Sequence, residues 1–193
     1  MSFEEKMTYY DPSETEEFIV LPKGTYKARI SNFEFKKTWS NKDNQTADIY
    51  EASYKLDESI SSEMLKDDKG NEYPGSKFIS REVKSKGFFL WKAPSKDETF
   101  VSNPAGNKRI SIFLAAANYP LNEKEIENSA GVKVNVVEIP EVIDESKIIG
   151  QPVIIEVTHE EYNEKVYAKE MKVMSWEDAP AAKVEEDEDD LPF

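Results

Sequence analysis

Two stretches of this chain interleave cations with aromatic rings, a combination suited to a polyanion that carries flat bases. Residues 23–42 hold Lys23, Lys27, Arg29, Lys36, Lys37 and Lys42 against Glu34, a net charge of +5, together with Tyr26, Phe33, Phe35 and Trp39. Residues 77–109 hold Lys77, Arg81, Lys84, Lys86, Lys92, Lys96, Lys108 and Arg109 against Glu82, Asp97 and Glu98, again +5, with Phe88, Phe89 and Trp91 among them. Lysine and arginine neutralise phosphates and release counterions, while aromatic faces stack on any base, so both stretches point to sequence-tolerant binding of a single strand. The candidate phosphate contacts are Lys27, Arg29, Lys36, Lys37, Lys42, Arg81, Lys84, Lys86, Lys108 and Arg109. Trp39 is the foremost stacking candidate, because the polar run at 36–42 reads as a loop in which no apolar neighbour draws the indole inward. Trp91 and Tyr54 follow it, whereas Tyr26, Phe33 and Phe89 are expected to pack in the core.

Other chemistries find little material. There is no cysteine and one histidine, His159, so the soft ligands of a structural zinc or an iron-sulfur cluster are missing. No glycine-rich phosphate loop and no Ser/His/Asp or Cys/His arrangement is present, and His159, beside Glu160 and Glu161, reads as an exposed residue of a hairpin tip. Scattered carboxylates offer no pair that stands out as a magnesium site. The expectation is a binding protein without catalytic residues, metal or cofactor.

The total charge of -14 opposes a nucleic-acid partner until its distribution is considered. Residues 177–193 carry -7 and residues 1–17 carry -5, which leaves -2 for 18–176. The acidity is concentrated in the two ends, an acidic arm at 1–17 and an acidic tail at 177–193, and the tail is too charged and too poor in apolar residues to order itself. No apolar run approaches the length of a membrane span and the N-terminal residues lack the pattern of a signal peptide, so a cytoplasmic protein is expected, without a membrane partner.

The elements that must position the candidate residues are mostly strands. Thr25 to Ile30 alternates apolar residues with cations, and Phe33 and Phe35 break the parity of Tyr26, Ala28 and Ile30, which predicts a bulge near Ser31 and Asn32. Further strands are expected at 48–56, at 77–84 followed by the apolar run 87–91, at 132–139, and in a hairpin of 150–157 with 165–174 that turns through 159–163. Residues 59–65 read as a short helical turn, and 106–119 place Ile110, Phe113, Leu114 and Ala117 at helical spacing before Pro120. The fold class expected is mainly β: a five-stranded OB-type barrel over 18–176 with an intervening helix, followed by a disordered acidic tail.

Two resemblances add to this. The tail places Asp187, Glu188, Asp189 and Asp190 before Leu191, Pro192 and Phe193, and this resembles the tip of bacterial single-stranded DNA-binding proteins. The resemblance implies a docking peptide in which Phe193 is the buried anchor and the acids steer the encounter with a polymerase, helicase or primase. The segments at 21–30, 108–110 and 149–157 resemble phage replication proteins of the OB-fold, single-strand-binding type, which implies a phage origin, the host cytoplasm and a role in DNA replication, recombination or repair. The core motifs of the bacterial proteins are not found, so their tetrameric assembly does not carry over. An acidic DNA mimic that inhibits a nucleic-acid enzyme and a β-rich phage structural protein are the alternatives.

Overall fold

The structure, a computed structural model, describes residues 19–42, 45–92, 107–127 and 131–177. The tail residues Asp187 to Phe193 and the acidic arm at 1–17 lie outside the described residues. Alternation of Tyr26, Ala28 and Ile30 with exposed or half-exposed Thr25, Lys27 and Arg29 produces a long strand, β1 (Gly24–Ser40). It is bent by two register shifts against β2 (Thr46–Leu56), one between Ile30 and Asn32, where a bulge is predicted, and one between Phe35 and Lys37. Each shift advances the pleat by one residue, so Ile30 and Phe33 both point inward.

β1 also pairs with β9 (Pro152–Tyr162), β9 with β10 (Lys165–Ser175), β10 with β5 (Glu82–Ser85), and β5 with β2. Because β2 returns to β1, these five strands close into a ring in which only the contact of β10 with β5 is parallel. β2 outruns β5, and its first residues pair instead with β6 (Phe88–Trp91), so the far ends of β1 and β2 with β6 form a three-stranded extension beside the ring. Short strands β3 (Met64–Lys66) and β4 (Glu72–Pro74) pair with each other, as do β7 (Asn122–Glu127) and β8 (Lys133–Glu138). The one α-helix among the described residues, α1 (Lys108–Ala116), follows β6 and packs against β6 and β10. Among the described residues no helix is long and apolar enough to cross a membrane.

The core is aromatic where α1 meets the sheet. Phe33 stacks on Tyr50 at 5.2 Å and on Phe113 at 5.1 Å, and Phe88 lies 4.5 Å from Phe113. Ile110, Phe113, Leu114 and Ala117 are buried on the face that their helical spacing predicts. Truncating any one of these phenylalanines to alanine would cost about 3–5 kcal/mol, transfer and cavity together.

Several expectations are corrected. The segment 36–40 is strand rather than loop, so Trp39 belongs to β1. The third expected strand at 77–84 is interrupted: a 3-10 turn (Gly75–Lys77) buries Phe78, and β5 begins only at Glu82. The run 132–139 does not join the ring, since among the described residues β8 pairs with β7 alone. The hairpin of β9 and β10 turns at Asn163 and Glu164, whose φ values of 51° and 62° give a left-handed two-residue turn, so His159 lies within β9. His159 is half-buried and its Nε2 donates to the Leu21 carbonyl at 2.8 Å, an acceptor that requires the proton on that nitrogen.

Candidate nucleic-acid interface

Direct cross-strand partners share a face, so the register identifies which side chains stand together outside the core. On the extension, Trp39 of β1, Ala47 of β2 and Trp91 of β6 form one row, and Lys37, Ile49 and Phe89 form the next. The intervening residues Tyr50, Phe88 and Leu90 are buried, so these rows look outward. Trp39 is 41 % and Phe89 39 % exposed, and Trp91 is partly exposed. The indoles of Trp39 and Trp91 meet edge-on at 5.7 Å, Trp39 meets Phe89 edge-on at 6.4 Å, and Phe89 stacks with Trp91 at 6.4 Å. Ala47, fully covered between the two tryptophans, is small enough to let them approach. The result is an aromatic platform on a strand surface where a flat base can stack.

Buried polar groups beneath the platform fix it. The Asp48 carboxylate, 6 % exposed, accepts from Thr38 Oγ1 at 2.7 Å and pairs with Lys92 Nζ at 2.7 Å, so it ties β1, β2 and the end of β6 together. That hydrogen bond to Asp48 raises the Lys92 pKa above its ordinary value. The Asn107 side chain accepts no capping hydrogen bond from its own helix; its Oδ1 accepts the Trp91 N–H at 2.8 Å and its Nδ2 donates to the Trp91 carbonyl at 3.2 Å. A side-chain amide thereby completes the edge of β6 and sets Trp91. Asp48 and Asn107 were not among the sequence candidates, because their partners are remote in sequence.

Beyond the platform the same face continues along β2. Glu34 and Glu51 come next, then a row of Asn32, Ser53, Lys84 and Lys169 across four strands, then Arg29, Lys55 and Glu82. Lys84 and Lys169 are direct partners on parallel strands, two cations side by side, and among the described residues neither has a salt-bridge partner. Like charges in such a pair are destabilising unless an anion lies between them. The Trp39 row at Ala47 and the Lys84 row at Ser53 lie six positions apart along β2, a distance of about 20 Å.

The sequence candidates distribute unevenly over this surface. Lys37, Trp39 and Trp91 share the platform, Lys84 stands on the same face, and Lys42 is exposed just past the end of β1. Lys36 ion-pairs with Glu34 and lies 3.5 Å from Glu51, and the hydrogen bond between Lys36 and Glu34 lowers the Glu34 pKa and raises that of Lys36. Lys86 pairs with Glu160 at 3.3 Å, and Arg29 with Asp57 at 3.7 Å. Arg81 donates to the Ile19 carbonyl and lies over the Phe78 ring, and Lys27 lies over Trp176 at 5.0 Å, on the β9 side of β1. Lys108 is exposed on α1, apart from the platform face.

Two candidates are corrected and one core residue is reassigned. Tyr54 is fully buried and its hydroxyl donates to Glu170 at 3.3 Å, so no base can reach its ring. Its pKa is raised well above the ordinary value, chiefly by burial. Arg109 is engaged from inside: Nη2 donates to both carboxylate oxygens of Glu170 at 3.1 Å, and Nη1 donates to the Met171 carbonyl at 3.2 Å. Glu170 is 1 % exposed, and burial raises its pKa despite the opposing pull of Arg109. Arg109 is therefore the counterion of a buried carboxylate rather than a free surface cation. Phe89, expected in the core, points outward on the platform; it alternates with the buried Phe88 and Leu90.

A groove of about 790 Å³ lies between β5 and the hairpin of β9 and β10. Leu21, Leu56, Phe78 and Val83 give it an apolar floor, and Tyr162 and Tyr167, 69 % and 43 % exposed, stand on its wall. Arg81, Lys84 and Lys169 are matched there by Glu82, Glu160 and Glu161, so this groove lacks the cationic excess of a phosphate track. Among known proteins, no family model matches the chain and no curated relative matches it.

Proposed function

We propose that this protein binds single-stranded DNA across the outer face of β1, β2, β5 and β6, with little sequence preference, and that it is an OB-fold protein of the single-strand-binding type. The observation that carries the reading is the solvent-facing trio Trp39, Phe89 and Trp91 on the same sheet face as Lys37, with Lys42 exposed just past the end of β1. Stacking platforms in line with cations hold bases and phosphates at once, without reading base edges. The five-strand ring with its helix between β5 and β9 supports the OB-fold reading, because that fold is a five-stranded Greek-key barrel that binds oligonucleotides on its second and third strands and adjoining loops. In the ring, β2 and β5 occupy those two places. The role is coating and protection of exposed strands during replication, recombination or repair, and the acidic segment 177–193 recruits replication enzymes through Leu191, Pro192 and Phe193.

Titration with oligo(dT), read by quenching of tryptophan fluorescence and repeated over a salt series, tests the reading. Binding in the micromolar range or tighter, with log affinity falling steeply against log salt, is expected. Trp39→Ala should weaken it by about 1–3 kcal/mol, the loss of one stacking platform. A chain that fails to bind oligo(dT) at low salt, or a folded Trp39→Ala variant with unchanged affinity, refutes this assignment.

A further inference from the structure

β7 and β8 pair with each other and with no other strand among the described residues. An isolated two-stranded hairpin is marginal in water, and stable sheets of this kind gain at least a third strand or a packed face. The two outer edges of this hairpin differ in a way that selects the third strand. β7, Asn122-Glu123-Lys124-Glu125-Ile126-Glu127, carries four charged residues in six positions. Any twofold antiparallel pairing of β7 with its own copy that spans more than one residue pair sets Glu against Glu, the usual protection of an edge against association. β8, Lys133-Val134-Asn135-Val136-Val137-Glu138, confines its charges to its two ends, contains no proline and runs without a register shift against β7. Its centre, Val134 to Val137, is an uncharged, unguarded edge on which three of the four residues are β-branched.

We infer that β8 is a self-association edge, at which a second copy of this chain adds its own β8 in antiparallel fashion to make a four-stranded sheet across a twofold axis. The symmetry restricts the register. A twofold axis normal to the sheet leaves each face on its own side, so residues opposed across it must share parity along the strand. With the axis at Asn135, Asn135 opposes its own equivalent and Val134 opposes Val136 of the second copy twice over. With the axis at Val136, Val134 would oppose Glu138. Pairing of β-branched side chains favours the first arrangement. It also joins the hairpin face on which Ile126, Val134 and Val136, each half-buried in one chain, stand together with the same three residues of the second copy. This inference does not rest on the strand-binding face, which lies on other strands.

The mass of the full chain in solution, measured by light scattering after size exclusion over about 1–100 µM, tests it. A species of twice the 22.1 kDa chain mass is expected to dissociate on dilution. Asn135→Lys faces Glu125 within its own hairpin, a favourable pair, yet sets two ammonium groups against each other across the axis. It should weaken the dimer by up to about fivefold. Asn135→Asp should weaken it likewise, and an equimolar mixture of the two variants should restore the doubled mass, which also shows that both are folded. A wild-type chain that stays monomeric over the whole range, an Asn135→Lys variant that dimerises like wild type, or a mixture that stays monomeric would each overturn the proposal.

Discussion

Replacing Arg109 with methionine separates a structural cation from a nucleic-acid contact. Methionine keeps most of the length of the side chain and removes the charge, leaving the Glu170 carboxylate, 1 % exposed, with the Tyr54 hydroxyl at 3.3 Å as its remaining side-chain partner. Breaking a buried ion pair from one side costs about 3–5 kcal/mol, because the orphaned charge has no route to water. Glu170→Gln should cost less, about 1–2 kcal/mol. Its amide stays within reach of Tyr54, and the Arg109 side chain, 36 % exposed, can turn toward solvent. The double variant, with no buried charge, should recover most of the Arg109→Met loss. The pH dependence has a definite sign. Burial holds the Glu170 pKa above its ordinary value, so the folded chain takes up this proton more readily than the unfolded chain. The cost of the charged form is therefore absent below the unfolded pKa and grows as pH rises through the folded one. Without Arg109, which pulls the pKa down, the folded value rises further, and the deficit of Arg109→Met must shrink between about pH 7 and pH 5. Urea denaturation followed by tryptophan fluorescence at both pH values measures this. Equal losses for Arg109→Met and Glu170→Gln, or an Arg109→Met deficit that is constant or larger in acid, would refute the reasoning. The folded fraction of Arg109→Met should bind oligo(dT) with the wild-type salt slope, since this guanidinium is engaged by Glu170.

A β-carbon at Gly75 would lie 1.9 Å from the Ile60 carbonyl oxygen, so Gly75→Ala must displace backbone where the 3-10 turn meets the Glu58–Ser62 turn. A loss of about 3 kcal/mol, seen as a melting temperature lower by about 6–12 °C, is expected; a melt within about 1 °C of wild type would show that the two turns yield without strain. Deleting residues 185–190 removes six acids, which under the proposed function would compete with DNA for the cationic face. Affinity for oligo(dT) should rise severalfold at low salt and converge on wild type as screening shortens the reach of the tail charges; an equal affinity at every salt concentration would remove the tail from the binding equilibrium.

Periodicity alone gives the strand nature of 24–30, the bulge beside Asn32, the helical face of Ile110, Phe113 and Leu114, and the strands that become β9 and β10, because each depends on how a residue alternates with its immediate neighbours. Charge counting along the chain likewise separates the acidic ends from a nearly neutral middle without reference to any contact. What the sequence could not decide is which side chains are opposed across strands far apart in the chain. Tyr54 and Trp91 look equivalent locally, yet β2 carries Tyr54 into the closed ring over Glu170 while β6 carries Trp91 to the outer row with Trp39. Phe88 and Phe89 differ by one residue and take opposite faces, a choice set by the register of β6 on β2 and by nothing in the dipeptide itself. Arg109 reads as one more exposed cation until β10 brings Glu170 against it from 61 residues away. Burial and cross-strand register are properties of the closed sheet, so the division of these cations and rings between core and outer face was made only by the tertiary structure.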